Sequence, residues 1–336
     1  MTPNKRRVTL KDIAQKTGYA INTVSKALRD APDLAADTKQ AICRIADEMG
    51  YIANSSANSL RSGRSHVLAL IVADITNPLF AITAKELETA ARELDYTLLV
   101  MNTDEEPENE IKAVRSAIGR GVDGVMLFQT EKTCEGLELL QRAGVPCVLM
   151  HRVSEGQQAD AVLMDEELGG YLAGRALIER GCKKMVMLTV PSYISSSQQR
   201  EKGFMRAMQE AGVSGARCGV VHLDSVLGSC ENAVRTMFSG PERPDGIFCF
   251  SDITAFETAC ILREMGLKAG EDVALIGFDN IQSKLNIPFG LTTISVHKTA
   301  QAHAALRLLM RRISGDWENY PEHVKLPVHF VKRESA

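Results

Sequence analysis

The sequence predicts a small all-α domain followed by a larger α/β body, and three observations support this fold class. Short amphipathic helical patterns occupy the first stretch of the chain. From His66 onward, short β-rich runs alternate with amphipathic helices, as is typical of parallel sheets covered on both faces. About ten such runs exceed a comfortable single open sheet, so we expect two doubly wound lobes.

The N-terminal domain, here called the head, is predicted to hold three helices. Thr9 and Asp12 form a capping box that opens the first helix, "LKDIAQKTG". The second helix begins near Ala20, after the turn at Gly18, and the third is "DTKQAICRIADEMGY". Two helices joined by a glycine-containing turn, with a third packed across them, form a helix-turn-helix.

The second helix has an apolar and a polar face. Val24, Ala27 and Leu28 can pack in the core. This leaves an exposed Ile near the helix start, which is unusual for an ordinary surface. The side chains predicted to point outward are Ile21, Asn22, Ser25 and Lys26.

The charge distribution separates the head from the body. Residues 1–66 carry 11 Lys and Arg against 6 Asp and Glu, and the remaining residues carry 28 against 36. A basic head on an acidic body indicates that the head meets a polyanion.

The motif search does not predict an enzyme. "GRGVDG" at Gly119–Gly124 matches G-x-G-x-x-G, but it follows a helix and precedes a strand, the reverse of the order that a phosphate cradle requires. It is interpreted as a helix end and tight loop. No P-loop, HExxH motif or nucleophile elbow occurs, so no cofactor or metal is expected, although a dispersed catalytic triad stays open.

The combined motifs resemble the LacI/GalR family of bacterial repressors. "TLKDIA", "TVSKAL", the helix ending in "MGY" and the "NSLRSGRS" linker match its DNA-binding headpiece in order and spacing, and "VADITNPLF", "RGVDGVMLF", "QREKGFMRAM" and "ALIGFDN" extend the match through the body. The body is similar to periplasmic sugar-binding proteins, whose two lobes close on a small molecule. The resemblance implies a headpiece at 1–52, a hinge helix or linker at 53–64, and an effector-binding and dimerisation domain at 65–336, with an N-lobe at about 65–164 and 293–323 and a C-lobe at about 165–292 and 324–336.

The resemblance implies a DNA-binding role for the head. The base-reading positions of the family map onto Ile21, Asn22 and Lys26, which can contact a thymine methyl, adenine and guanine respectively. The hinge helix forms on DNA in that family, with Leu60 as a wedge into the minor groove. The remaining implied DNA contacts are Thr9, Thr23 and Ser25 on phosphates, and Asn54, Ala57, Asn58 and Arg61 in the hinge.

Some positions of the head depart from the family pattern. Ala20 replaces the serine that usually starts the recognition helix, and Ala53 replaces a proline before the hinge. Lys26 stands where arginine is more common in the family, so an ammonium group replaces a guanidinium group that can form two parallel hydrogen bonds.

In the body, the resemblance implies an effector site at the carboxyl ends of the strands. His151 stands where relatives often have aspartate, and together with Arg152 and Arg200 it favours an anionic sugar derivative. The full implied set is Asn77, Phe80, His151, Arg152, Asp165, Arg200, Ser251, Asp252 and Asp279.

The sequence therefore predicts a cytoplasmic, nucleoid-associated regulator that is not an enzyme. It is expected to repress a carbohydrate-utilisation operon, binding a pseudo-palindromic operator as a homodimer under control of a sugar, sugar acid or sugar phosphate. The tail "VKLPVHFVKRESA" carries no leucine heptads, which favours a dimer over a tetramer. Two rivals stay open: a soluble sugar-binding transport component, and an enzyme on a doubly wound fold.

Overall fold

The chain folds into two compact units, residues 1–65 and 66–336. The structure, a computed structural model, describes residues 7–52, 63–153, 156–225 and 228–336. The predicted hinge residues Asn54, Ala57, Asn58, Leu60 and Arg61 lie outside the described residues.

The head contains the three predicted helices, α1 (Leu10–Thr17), α2 (Ile21–Ala27) and α3 (Ala36–Glu48). The capping box is present, since the Asp12 N–H bonds to the Thr9 hydroxyl and the Thr9 N–H bonds to the Asp12 carboxylate. Gly18 ends α1 at a φ of 77°, a left-handed conformation that glycine adopts without strain. The core is formed by Ile13, Val24 and Ile42, all fully buried, with Ala14, Ala27 and Ala46.

The body contains two six-stranded sheets. The first has the order β11-β5-β4-β3-β1-β2 and is parallel throughout. The second has the order β12-β10-β9-β8-β6-β7, with β12 antiparallel to β10. The strands are β1 (Val67–Val72), β2 (Thr97–Asn102), β3 (Gly124–Leu127), β4 (Cys147–Met150), β5 (Asp160–Met164), β6 (Met185–Thr189), β7 (Cys218–His222), β8 (Gly246–Cys249), β9 (Ala274–Asp279), β10 (Thr292–Val296), β11 (His323–Leu326) and β12 (Val328–Val331).

Helices cover both faces of each sheet, because the inner strands are buried and apolar on both sides. The helices are α4 (Pro78–Arg92), α5 (Pro107–Gly119), α6 (Glu135–Arg142), α7 (Glu166–Glu179), α8 (Ser195–Glu210), α9 (Glu231–Ser239), α10 (Asp252–Glu264) and α11 (Lys298–Ile313). As interpreted from the sequence, "GRGVDG" connects the end of α5 to β3.

The strand pairing corrects the predicted lobe boundaries. β10 lies in the second sheet, although residues from 293 onward were assigned to the N-lobe. β11 pairs with β5 in the first sheet, although residues from 324 onward were assigned to the C-lobe. The chain therefore returns to the N-lobe with α11, whose buried face packs on the first sheet, and returns to the C-lobe between β11 and β12.

Two topological switch points position the site. β1 lies between β2 and β3, and β6 lies between β7 and β8, so the connections after these strands diverge at the carboxyl edges of their sheets. Such edges are where ligands of doubly wound sheets bind.

Two negative findings apply to the described ranges. No helix there is long and apolar enough to cross a membrane. No group of three or more His, Cys, Asp and Glu side chains among those residues is arranged to hold a metal ion.

Candidate functional site

The head presents the predicted recognition face of α2 to solvent. The Ile21 side chain is 48% exposed and Asn22 is exposed, whereas Val24 is fully buried beneath them. An exposed apolar side chain beside an amide matches a surface that reads base edges in the major groove. α2 begins without a side-chain cap, because Ala20 has no hydroxyl to accept from the first N–H groups.

Lys26, the third predicted base reader, is held by a carboxylate. Its ammonium group lies 2.5 Å from the Asp33 carboxylate, which lowers the pKa of Asp33 through that hydrogen bond. Both side chains are partly exposed to solvent. Sequence reasoning missed Asp33, whose position in the loop between α2 and α3 gave no motif.

The predicted phosphate contacts of the head differ in availability. The Thr9 hydroxyl donates to the Asp12 carboxylate at 2.7 Å, so it is engaged in the capping box. Thr23 and Ser25 are half-buried on α2.

The body contains a cavity of about 320 Å³ at the carboxyl edges of its two sheets. Most of the predicted effector residues line it, from both lobes. Those brought together are Asn77, Phe80, His151, Arg152, Arg200, Ser251 and Asp279.

Two predicted effector residues do not line this cavity. Asp165 caps the start of α7 by accepting from the Leu168 N–H at 3.2 Å. Its carboxylate also pairs with Lys325 on β11 at 2.9 Å. The Asp252 carboxylate is fully buried and accepts from the Thr293 hydroxyl at 2.5 Å and from the Ile281 N–H at 2.8 Å. Both carboxylates are taken up by the fold rather than presented to a ligand.

The sequence also missed part of the wall, because loops after the strands supply it. Most of these residues lie in loops next to strand ends, where no sequence spacing marks them. The further lining side chains include Asp74, Asp104, Glu105, Glu106, Phe128, Lys132, Tyr193, Ser196, Asp224 and Phe250.

The two cavity arginines are neutralised by the protein itself. Arg152 forms two hydrogen bonds with the Glu105 carboxylate, at 2.9 and 3.0 Å. The Arg200 Nε–H donates to Glu166 at 2.7 Å, and its Nη1–H donates to the Phe250 carbonyl oxygen. The Arg200 guanidinium also stacks on the Phe278 ring, 3.5 Å from the centroid. Both arginines are thus fixed in orientation and matched in charge.

Two further predicted effector residues, His151 and Asp279, are mostly uncharged at neutral pH. Burial lowers the pKa of His151 to about 4, so this imidazole is uncharged at neutral pH. Burial raises the pKa of Asp279 to about 8, against the opposing effect of Arg200. The expectation that His151, beside Arg152 and Arg200, favours an anionic sugar derivative therefore gains no charge from this imidazole.

Backbone strain concentrates around the cavity. Asp104 and Glu105 have a φ of 56°, His151 has 64° and Asp279 has 110°. Such conformations cost about 1–3 kcal/mol each in a residue with a side chain and persist where the surroundings enforce them, most often at functional sites.

Comparison with known proteins identifies the class and then the family. An exposed helix-turn-helix face and a two-lobed body with a cavity define a DNA-binding regulator with a ligand domain. The family model described as "Bacterial regulatory proteins, lacI family" matches residues 9–54. The model described as "Periplasmic binding proteins and sugar binding domain of LacI family" matches residues 65–334. The chain belongs to the LacI family.

Individual relatives agree with this assignment. The HTH-type transcriptional repressor PurR of Actinobacillus pleuropneumoniae serotype 3 is 30% identical over 98% of both chains. A transcriptional regulator CelR–cellobiose complex is 25% identical, covers 98% of this chain and 100% of its own, and superposes with a TM-score of 0.72. A LacI family regulator from Enterococcus faecium with bound ribose is 27% identical, covers 80% and 98%, and gives 0.71. The protein is a DNA-binding transcriptional repressor of the LacI family and not an enzyme.

The lac repressor dimer bound to operator shares the fold. Its TM-score is 0.83 at 20% identity, over 98% of this chain and 99% of that one.

Proposed function

We propose that this repressor binds a pseudo-palindromic operator as a homodimer in the cytoplasm and controls a carbohydrate-utilisation operon in response to a sugar-type effector. The observation that carries the proposal is the presence, in one chain, of an exposed Ile21–Asn22–Lys26 face and a cavity that joins residues from two lobes. Ile21, Asn22 and Lys26 read bases, while Thr23 and Ser25 contact phosphates and fix the register.

The cavity supports a small polar effector. Its volume of about 320 Å³ suits a mono- or disaccharide-sized molecule. Asn77, Ser251 and Asp279 supply polar contacts, and Phe80 supplies an apolar face for a ring. The relatives that were solved with cellobiose and ribose support the carbohydrate class.

A sugar acid or sugar phosphate fits this wall less well than a neutral sugar. Arg152 and Arg200 are already paired with Glu105 and Glu166, and His151 is neutral at pH 7. An anion would have to displace these carboxylates or share their arginines.

A purine base is the second candidate effector. The relatives named PurR point to this class. The aromatic side chains of Phe80, Phe128, Tyr193 and Phe250 line the cavity and could face a flat heterocycle.

The test has a DNA step and an effector step. Selection of the full-length protein against random palindromes is expected to enrich one pseudo-palindromic site, whose affinity falls steeply as salt increases. Cellobiose, D-ribose and hypoxanthine are then added to the selected complex at matched concentrations. A sugar that changes operator affinity supports the proposal, hypoxanthine acting alone supports the purine alternative, and failure to enrich any site contradicts operator binding.

A further inference from the structure

The cavity wall carries an excess of carboxylates. Its cationic side chains are Lys132, Arg152 and Arg200. Arg152 lies beside both Glu105 and Glu131, the latter at 3.9 Å, and Arg200 is paired with Glu166. The carboxylates that line the cavity are more numerous: Asp74, Asp104, Glu105, Glu106, Asp224 and Asp279.

Asp279 is the carboxylate best placed to receive a ligand group. It is 2% exposed and lines the cavity, and its Oδ1 atom has no hydrogen-bond partner among the described residues. A buried carboxylate oxygen without a partner is costly, so such an atom at a cavity wall indicates that a ligand supplies the missing donor.

The backbone around Asp279 is built to hold this orientation. The Lys298 ammonium group, 4% exposed, donates to the backbone carbonyl oxygen of Asp279 at 2.5 Å and to that of Asn280 at 3.3 Å. Asp279 and Asn280 both have positive φ, so these bonds stabilise a strained bend. Lys298 therefore stabilises the main chain at this bend, and the Asp279 side chain remains in the cavity wall.

A second acceptor lies on the other lobe. His151, 8% exposed, lines the same cavity, and its Nε2 atom has no partner within hydrogen-bond distance among the described residues, although the neighbouring Gln301 amide raises the pKa of the ring against the larger effect of burial. Because the ring is uncharged at neutral pH, it can present a lone pair to a donor. Acceptors on both lobes favour a ligand that carries several hydrogen-bond donors.

We propose that the effector is an amino sugar whose protonated amino group binds at Asp279. An ammonium group offers three donors and a positive charge, which a hydroxyl group lacks and which a sugar acid or phosphate opposes. This inference rests on the proposed function, because it names the effector class of that same cavity.

The proposal predicts a proton linkage. In the empty cavity Asp279, with a pKa raised to about 8 by burial, is mostly protonated at pH 7. The charged groups that act on it are Arg200 from α8, Lys298 from α11, Asp252 from α10 and Glu166 from α7. A bound ammonium group favours the ionised carboxylate, so binding releases this proton, and affinity rises with pH over the range in which the amine of the sugar stays protonated.

The test is calorimetric titration of the full-length protein with matched sugars. D-glucosamine, D-galactosamine and D-mannosamine are each compared with the parent hexose and the N-acetylated form, and D-glucuronate and D-glucose 6-phosphate serve as anions. At least one amine is expected to bind roughly tenfold or more tightly than its parent hexose. Between pH 6 and pH 7 its affinity is expected to rise by up to about tenfold, with proton release seen as a dependence of the heat on buffer ionisation.

Two variants separate the role of Asp279 from a general loss of negative charge. Asp279→Asn is expected to remove both the preference for the amine and the rise with pH. Asp272→Asn removes an exposed carboxylate outside the cavity that accepts from the Lys268 N–H at 2.8 Å, and it is expected to retain both. Circular dichroism and binding of the selected operator show whether each variant is folded.

The remaining outcomes overturn the inference. These are tighter binding of a parent hexose or an anion than of every amine, an amine preference that survives Asp279→Asn, or no binding by any sugar in the set. Operator selection is measured separately, so the amino-sugar inference can fail while the proposed repressor function stands.

Discussion

At the residue scale, two residues of α2 have different proposed roles. Asn22 reads a base, whereas Ser25 contacts a phosphate and so fixes the position of the protein along the DNA. Asn22 is exposed on the recognition face, whereas Ser25 is half-buried one helical turn further on. We expect Asn22→Ala to relax preference at one operator base pair, costing about 1–3 kcal/mol of discrimination there, since an amide contacts adenine with two hydrogen bonds. Ser25→Ala should weaken all sequences alike, because a phosphate contact carries no sequence information.

Binding measurements on all single-base variants of the selected operator test this assignment. Equal losses across those sequences for both substitutions would contradict it.

Asp33 gives a second prediction at this scale, since Lys26 must leave its carboxylate to reach a base edge. Asp33→Asn frees the ammonium group, and we expect about two- to fivefold tighter operator binding. Asp30→Asn is the control for net charge. It removes the same charge from the head, but Asp30 pairs with Lys39, at 2.8 Å, and not with Lys26. Gel-shift titration at one salt concentration measures both variants, and an equal gain would show that only net charge matters.

At the element scale, the position of Arg200 depends on a close crossing of α7 and α8. A Cβ atom at Gly170 would lie 1.9 Å from the Arg200 carbonyl oxygen, and one at Gly203 would lie 1.9 Å from the Glu167 carbonyl oxygen. The two backbones therefore touch where Arg200 enters the cavity. The small residues of "LGGYLAG" allow this approach.

We expect Gly170→Ala to destabilise the body by about 2–4 kcal/mol, because α7 must move away from α8. Gly119→Ala is the control, since Gly119 is exposed at the end of α5 with open space around its Cα. Urea unfolding followed by circular dichroism compares the two. A Gly170 variant as stable as the control would show that the crossing can relax.

The sequence predicted the helices and strands better than it predicted which strands pair. The three head helices and the alternation of strands and helices from His66 onward follow from periodicity and caps, and the structure confirms both predictions. β11 and β12 were missed because they are short, partly exposed and separated by Pro327 alone. The lobe boundaries were misplaced because strand pairing decides them, and local sequence does not encode which sheet β10 joins.

The cavity shows the same limit. Strand-end residues such as His151 and Asp279 were predicted from the family resemblance, and they lie in its wall. The pairing of Arg152 with Glu105 was not predicted, since the two residues lie 47 positions apart in the chain. The pair neutralises the positive charge that the sequence led us to expect there.

At the scale of the whole molecule, an effector can control the operator only if it binds one arrangement of the lobes more tightly than another. The contacts that join the lobes include a salt bridge and a backbone-to-carboxylate hydrogen bond outside the proposed effector contacts. Lys284 of the C-lobe pairs with Glu86 on α4 at 2.7 Å, and the Ser195 N–H at the start of α8 donates to the Glu131 carboxylate at 2.9 Å. These contacts stabilise the arrangement of the lobes seen in the structure, and we expect an effector that binds between the lobes to favour the same, closed arrangement.

Lys284→Met should therefore weaken effector binding by about threefold, although Lys284 does not line the cavity, because part of the binding free energy must then close the lobes. The substitution should also change the operator affinity of the protein without effector. By thermodynamic linkage, this change should be opposite in direction to the change that effector binding causes, provided that the effector favours closure. Lys268→Met is the control, since its pair with Glu271 lies within the C-lobe. Calorimetry with the tightest-binding sugar and gel-shift of the empty protein measure the two effects, and a change in effector affinity without any change in operator affinity would show that lobe closure is not coupled to the head.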